Sequence, residues 1–307
     1  MKPLIAVIGP TATGKSGLAV LLAQEFGGEV ISADSRQIYR YMDIGTAKIS
    51  REEQASVPHY LLDIKNPDEA FSLAQYQEAA AGIIEEIRNR HKLPILAGGT
   101  GQYVRALIEG WSIPSVEPDI ALRQELEARA AEGEAEALYR ELEETDPEAA
   151  ASIDKRNVRR VIRALEVVRT TKKPFSEQRL KKEPAHDSFI IGLTCERKEL
   201  YRRIDRRVDS MIEQGFIDEV TTLLAMGYRP ELPAMSGIGY KQIIMYLNGA
   251  LTLDEAVYQI KTETHRLVRR QYNWFRLTDE RIHWLDVTGD FQEEAKRMTG
   301  EFLKRGR

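Results

Sequence analysis

The chain has a single cysteine, Cys195, which excludes an internal disulfide and any zinc site built on several cysteines. Its five histidines show no metal-ligand spacing, so we interpret them as structural. Apolar runs such as Leu4–Ile8 and Leu93–Ala97 fall far short of the roughly 18–20 residues that a membrane span needs. The first strand-like run begins almost at Met1, so we expect no signal peptide, a cytoplasmic location and no membrane partner.

Apolar content is sufficient for a packed core. Hydrophobic residues make up 42% and charged residues 30% of 307 positions, which excludes a mostly disordered or collagen-like chain. This length favours two domains, or one domain with an insertion. We expect a monomer.

One block of the chain is strongly basic, although the whole chain carries a net charge of −4. Between Lys155 and Arg207 there are 17 Lys or Arg and 7 Asp or Glu residues, a net charge of +10, whereas the remainder has a net charge of −14. A local basic patch is what contacts with nucleic-acid phosphates require. A solvated helical surface would give the same composition.

Apolar runs and helical spacing alternate along the chain. Strand-like runs occur at 4–9, 29–34, 93–99, 189–194 and 282–287, and helical patterns separate the first three. This order, together with the phosphate-binding motif G-x-x-x-x-G-K-[ST] at 9–16, predicts an α/β fold, a P-loop NTPase-like parallel sheet flanked by helices. The segment from 119 to about 169 reads as several helices, which predicts an inserted all-helical subdomain at 114–188 within a core of 1–113 and 189–307.

The strongest motif directly follows the first strand and opens a helix. It fits G-x-x-x-x-G-K-[ST] and comprises Gly9, Pro10, Thr11, Ala12, Thr13, Gly14, Lys15 and Ser16. The loop amides and the helix N-terminus favour a di- or triphosphate, Lys15 adds a positive charge, and the Ser16 hydroxyl can bind Mg²⁺. The motif does not specify ATP, nor phosphorus as the atom attacked.

Two further strand ends carry polar candidates. Asp34 closes the second strand, where a carboxylate can act as a general base, bind Mg²⁺ through water, or cap the next helix. The third strand ends in Gly98-Gly99-Thr100-Gly101, without the carboxylate that P-loop ATPases usually place there. Thr100 offers a hydroxyl, or a helix cap.

Arginines cluster on two predicted helices. Arg203 and Arg207 are four residues apart and share a face, so either could neutralise leaving-group charge or belong to a salt-bridged surface. A second ridge follows the spacing i, i+3, i+4, i+7 and comprises Arg156, Arg159, Arg160 and Arg163. This face suits a nucleic-acid backbone.

Several blocks together resemble the tRNA dimethylallyltransferases, also called tRNA isopentenyltransferases, in the shorter bacterial form without the zinc-finger tail of eukaryotic relatives. The blocks appear in the family's order and are GPTATGKS (9–16), ISADSRQIYRYMDIGTAK (31–48), GGTGQYVRAL (98–107), NVRRVIRALEV (157–167), RRIDRRVDSMIEQGFIDEV (202–220) and GIGYKQ (237–242).

The resemblance implies transfer of a dimethylallyl group from dimethylallyl diphosphate to the exocyclic amine of the adenosine 3′ of the anticodon in tRNA. It implies Asp34 as the base, Thr100 as an orienting hydroxyl, and Mg²⁺ on Ser16, with Asp34 as a further ligand through water. It places the arginine that holds the diphosphate at Arg207, or else at Arg203. The tRNA anticodon stem-loop would be contacted by Asp34, Ser35, Arg36, Gln37, Thr100, Arg159, Arg160, Val161, Ile162 and Arg163.

Two other functions share parts of this pattern. A P-loop small-molecule or nucleotide kinase would also have the phosphate loop and an inserted arginine-bearing lid, but the absent third-strand carboxylate and the large basic block argue against it. A P-loop RNA-binding or regulatory protein without turnover would tolerate loss of Asp34.

Overall fold

A six-stranded parallel sheet organises the larger part of the chain in this computed structural model, which describes residues 2–113, 119–178 and 186–305. The strand order is β3-β2-β4-β1-β5-β6. The strands are β1 (Pro3–Ile8), β2 (Gly28–Ser32), β3 (His59–Tyr60), β4 (Leu93–Gly98), β5 (Asp187–Thr194) and β6 (Ile282–Asp286). The predicted P-loop NTPase-like parallel sheet is thus confirmed, whereas β3 was missed because two residues leave no periodicity.

Strand β1 lies at the centre of the sheet and is buried on both faces. Its side chains alternate between two hydrophobic clusters, with Ile5 and Val7 in one and Leu4, Ala6 and Ile8 in the other. A strand covered on both faces needs apolar residues at every position, which is why the run was recognisable in the sequence.

Helices cover both faces of the sheet. The first four are α1 (Lys15–Phe26), α2 (Arg51–Ser56), α3 (Leu73–Asn89) and α4 (Gly101–Ile108). A capping box begins α3, because the Ser72 hydroxyl accepts a hydrogen bond from the Gln75 amide and the Gln75 side chain accepts one from the Ser72 amide.

The segment Glu109–Pro184 forms a compact unit of its own, while Met1–Ile108 and Ala185–Arg307 form the other. The described helices of the segment Glu109–Pro184 are α5 (Ile120–Arg129), α6 (Ala135–Thr145), α7 (Pro147–Ser152), α8 (Val158–Thr171) and α9 (Phe175–Gln178), with a π-helical turn at Ala130–Glu134. A separate hydrophobic core, which includes Leu126, Leu138 and Leu165, holds this helical unit together. The predicted insertion, 114–188, overlaps the unit, and its first residue lies outside the described ranges.

Five helices follow the insertion, namely α10 (Arg197–Glu213), α11 (Phe216–Ala225), α12 (Tyr240–Leu247), α13 (Leu253–Trp274) and α14 (Phe291–Arg305). Within the described ranges, no helix combines the length and apolar character needed to cross a membrane.

Candidate active site

A cavity of about 1120 Å³ lies at the carboxyl ends of the central strands. It is lined by the loop after β1, the loops after β2 and β4, and helices α10, α12 and α13. Among its lining residues are Thr11, Lys15, Asp34, Ser35, Arg36, Thr100, Arg207 and Gln271. Ligands of open parallel sheets bind at this edge, where strand ends and helix N-termini meet.

The phosphate-loop backbone is fixed by its neighbours. Gly9 has φ +139°, and a Cβ there would lie 2.4 Å from the carbonyl oxygen of Leu193 on β5, so no other residue fits without moving the strand. The buried Thr13 hydroxyl donates to the Pro10 carbonyl at 2.9 Å. Gly14 then adopts φ 84° as the N-cap of α1. The loop therefore enters the helix with its first-turn amides unpaired by the helix itself.

Lys15 is held beside a second cation. Its Nζ donates to the Pro10 carbonyl oxygen at 2.7 Å. Burial, and then the neighbouring charge of Arg207, lower the pKa of Lys15 to about 8, while Asp34 opposes the shift. Two adjacent positive groups in a partly desolvated cleft repel each other, and an anion placed between them relieves that repulsion.

The structure places the two candidate arginines of α10 differently. Arg207 lines the cavity, and burial lowers the pKa of its guanidinium while Asp34 opposes that shift. Arg203 instead donates through Nε to Glu199 at 3.1 Å, one turn earlier on the same helix. Arg207 is therefore the arginine that meets Lys15 and Asp34.

Asp34 and Thr100 lie on adjacent loops that are bonded to each other. Asp34 Oδ1 accepts the Arg36 amide at 2.8 Å. The Thr100 hydroxyl oxygen accepts the Ser35 amide at 3.0 Å, and the Thr100 amide donates to the Ala33 carbonyl at 3.1 Å. These bonds set the position of Asp34 relative to Thr100 before any substrate is present.

The residues after Asp34 have separate surroundings. Ser35 and Arg36 line the cavity, and Arg36 also donates to the Pro233 carbonyl at 2.8 Å. The Gln37 amide group donates instead to the carbonyls of Thr46 and Ala47, both at 3.3 Å. Gln37 therefore supports the 42–48 loop rather than lining the cavity.

Glu219 was missed by sequence reasoning, although it holds this loop from α11. Its carboxylate accepts three successive backbone amides, those of Asp43 at 2.9 Å, Ile44 at 2.6 Å and Gly45 at 3.1 Å. It also accepts the Tyr240 hydroxyl at 2.7 Å. Burial and this carboxylate raise the pKa of Tyr240 well above its usual value. No pattern of residues in the sequence predicts a carboxylate that binds backbone amides some 175 positions away.

Gln271 on α13 was also missed. Its side chain joins the phosphate loop to the loop after β4, since Oε1 accepts the Thr11 amide at 3.0 Å and Nε2 donates to the Gly99 carbonyl at 3.1 Å. A glutamine in the last turn of an amphipathic helix gives no sequence signal for such a contact.

Some arginines of the ridge on the helical unit are paired with carboxylates. Arg156 pairs with Asp154, and Arg163 donates to the buried Glu166 at 2.8 Å. Arg159 is exposed and forms no hydrogen bond or ion pair with the described residues. Val161 and Ile162 are buried in the core of the unit, so their side chains position α8 and are not available to an RNA surface.

The donors available to Mg²⁺ are an alcohol and a carboxylate. Ser16 lies partly exposed in the first turn of α1, and Asp34 Oδ2 accepts no hydrogen bond from the described residues. Within those residues, no three His, Cys, Asp or Glu side chains gather around one point. Magnesium commonly uses one or two protein ligands and completes its shell with water and substrate phosphate oxygens, and these two donors fit that pattern.

Comparison with known proteins places these features in one family. Residues 37–278 match the family model described as IPP transferase. A tRNA dimethylallyltransferase of Roseiflexus sp. (strain RS-1) is 50% identical over 303 residues, 99% of each chain. One from Dehalococcoides mccartyi is 45% identical over 306 residues, 100% of this chain and 94% of the relative.

Solved structures give the same result. The tRNA isopentenylpyrophosphate transferase of Bacillus halodurans has a TM-score of 0.74 and 42% identity, covering 99% of this chain and 98% of that one. A eukaryotic dimethylallyltransferase acting on tRNA has a TM-score of 0.85 and 26% identity, covering 99% of this chain and 80% of that one.

Proposed function

The chain belongs to the IPP transferase family, and on that premise we propose that it is a tRNA dimethylallyltransferase. It transfers a dimethylallyl group from dimethylallyl diphosphate to the exocyclic amine of the adenosine 3′ of the anticodon, releasing diphosphate. The observation that carries this proposal is that Lys15 and Arg207 share one cavity with Asp34 and Thr100. A diphosphate cradle and a candidate base thus face the same space.

The reaction forms a carbon–nitrogen bond and breaks a carbon–oxygen bond. The amine lone pair attacks the allylic carbon that is bonded to the diphosphate. The electrons of that carbon–oxygen bond leave with the diphosphate oxygen. Asp34 accepts the proton that the amine loses, which matters because the amine lone pair is delocalised into the adenine ring. Thr100 orients the amine or the diphosphate.

Charge accumulates on the diphosphate as the carbon–oxygen bond breaks. Lys15, Arg207 and the amides of the phosphate loop stabilise that charge in a fixed arrangement, which needs no reorganisation during the reaction. Ser16, together with Asp34 through a water molecule, would hold Mg²⁺. When bound, the ion neutralises part of the leaving-group charge.

The target adenosine leaves the anticodon-loop stack to reach the cavity, a step that costs less from a loop than from a duplex. Asp34, Ser35 and Arg36 read the base, while arginines of α8, among them the exposed Arg159, contact the stem-loop backbone. Gln37 supports the 42–48 loop, as its contacts with Thr46 and Ala47 indicate. We propose that the protein acts as a monomer, and a tRNA substrate supports a cytoplasmic location.

A nucleotide kinase is the second candidate because the phosphate loop is common to both classes. Gly98 argues against it. A Cβ at this position would lie 2.3 Å from the Ala33 carbonyl oxygen, so the end of β4 has no space for the carboxylate that a kinase would use.

The deciding experiment incubates the protein and Mg²⁺ with unmodified tRNA and radiolabelled dimethylallyl diphosphate, with and without ATP. We expect label in the tRNA without ATP. Asp34→Ala should lower the single-turnover rate by about 10²–10⁴-fold and leave pyrophosphate affinity within a few-fold. Phosphate transfer from ATP without labelled tRNA would establish the kinase, and tRNA binding unaccompanied by any transfer would establish a non-catalytic binder.

A further inference from the structure

Among residues 2–113, 119–178 and 186–305, Gln271 is the one whose side chain forms hydrogen bonds with both the phosphate loop and the loop after β4. It is 8% exposed, and both ends of its amide group are used. The oxygen faces an N–H and the nitrogen faces a carbonyl, so the amide is matched in polarity to its two partners. A glutamate or a methionine at this position would satisfy one partner or neither.

The helix that carries Gln271 is fixed where it meets these loops. Arg105 on α4 donates to the Trp274 carbonyl at 2.6 Å, at the last residue of α13. A Cβ on Gly101 would lie 2.2 Å from the Trp274 ring, and one on Gly99 would lie 2.3 Å from Gln271 Nε2. The end of α13 is thus packed directly on the turn that follows β4, and Gln271 has little freedom to move.

The contacts continue from Gln271 to the candidate base. Gly99, which accepts the Gln271 amide, precedes Thr100, whose hydroxyl accepts the Ser35 amide beside Asp34. On the other side, Thr11 belongs to the loop that contains Lys15. One buried amide therefore connects the cradle for the leaving group with the loop that holds the base.

We propose that Gln271 is a positioning residue, which sets the separation between the diphosphate and the base through its bonds to Thr11 and Gly99. This inference rests on the proposed function. Displacements near 1 Å can lower a rate about 100-fold when the reacting atoms must be aligned. The role predicts that Gln271 affects the chemical step more than the binding of either substrate.

Gln271→Met tests this role because it removes both hydrogen bonds and keeps a side chain of similar length. We expect its single-turnover rate, at saturating dimethylallyl diphosphate and tRNA, to fall about 30- to 100-fold. The dissociation constants for pyrophosphate and for tRNA should each stay within about threefold of wild type. Gln292→Met, an exposed substitution on α14, is the matched control and should leave the rate unchanged.

Gln271→Glu provides a second test if the methionine variant does not fold. It keeps the acceptor for Thr11, loses the donor to Gly99 and adds a negative charge beside the phosphate loop, so we expect slower transfer and weaker pyrophosphate binding. A wild-type rate in the folded variant would overturn the proposal. For Gln271→Met, a rate loss fully matched by weaker binding of one substrate would also overturn it. If the wild-type protein transfers no label, the proposed function fails instead.

Discussion

Arg203 and Arg207 are one helical turn apart on α10, and only the surroundings of their side chains separate their roles. Arg207 lies beside Lys15 and Asp34, whereas Arg203 pairs with Glu199. Arg207→Gln should therefore lower the rate of transfer about 10²–10³-fold by removing charge stabilisation at the leaving group. Arg203→Gln is the matched control and should remain within threefold in the same single-turnover assay. The opposite ranking would contradict this assignment.

Sequence spacing alone could not distinguish Arg207 from Arg203. Residues four apart share a helix face, so both arginines fitted the pattern equally well. The decision depends on which turn of α10 reaches the loop after β1, and that is a tertiary contact. Asp34, Thr100 and the phosphate loop could be predicted because each directly follows a recognisable buried strand.

The lowered pKa of Lys15, about 8, predicts a pH dependence of diphosphate binding. An anion favours the protonated ammonium, so binding raises this pKa and requires proton uptake wherever the free enzyme has lost the proton. Pyrophosphate affinity should therefore fall as pH rises through about 8, by up to tenfold per pH unit. Isothermal titration calorimetry between pH 7 and 9.5 measures the fall.

Lys15→Arg is the control, because a guanidinium remains charged throughout this range. The pyrophosphate affinity of the Lys15→Arg variant still changes with pH, because pyrophosphate itself titrates. The difference between the wild-type and variant profiles isolates Lys15. Parallel profiles would mean that Lys15 does not titrate in this range.

At the scale of elements, α11 stabilises the 42–48 loop through one carboxylate. Glu219 accepts three successive amides and a tyrosine hydroxyl. Glu219→Gln replaces one acceptor oxygen by an NH₂ group facing amide donors, and should reduce the free energy of unfolding by about 2–3 kcal/mol. Urea unfolding checks this value. The neighbouring exposed substitution Asp218→Asn should change it by less than about 0.5 kcal/mol, and equal losses would contradict the assignment.

Most sheet strands were predictable as elements because they are buried and therefore continuously apolar. The helical spacing of α8 was recognised for a related reason, since Val161, Ile162 and Leu165 pack inward at a regular interval. The spacing does not show which arginines on the polar face of α8 are paired with carboxylates. Glu166 is fully buried and accepts hydrogen bonds from Arg123 and Arg163, so a ridge that looked uniformly basic is partly neutralised.

At the scale of the whole molecule, the two units have separate hydrophobic cores. The clusters around the sheet contain no described residue of the segment Glu109–Pro184. Replacing 112–184 by a flexible Gly/Ser linker should therefore leave a folded protein that binds pyrophosphate within a few-fold of wild type. It should lose at least about tenfold in tRNA affinity, because the basic face of α8 is removed. Calorimetry and filter binding measure both, and an insoluble product would contradict the independence of the sheet unit.

The strand order also determines when the phosphate loop can form during synthesis on the ribosome. Strand β1 lies between β4 and β5, and about 90 residues separate Gly98 from Asp187. At about 5–20 residues per second, that stretch takes roughly 5–20 s to translate. During this interval one edge of β1 has no partner, and the Leu193 carbonyl that confines Gly9 does not yet exist. The hydrogen bonds from Gln271 to Thr11 and Gly99 form later still, because Gln271 is translated after β5. The nascent chain therefore cannot use its diphosphate substrate as a folding ligand until almost all of the sheet unit has been translated.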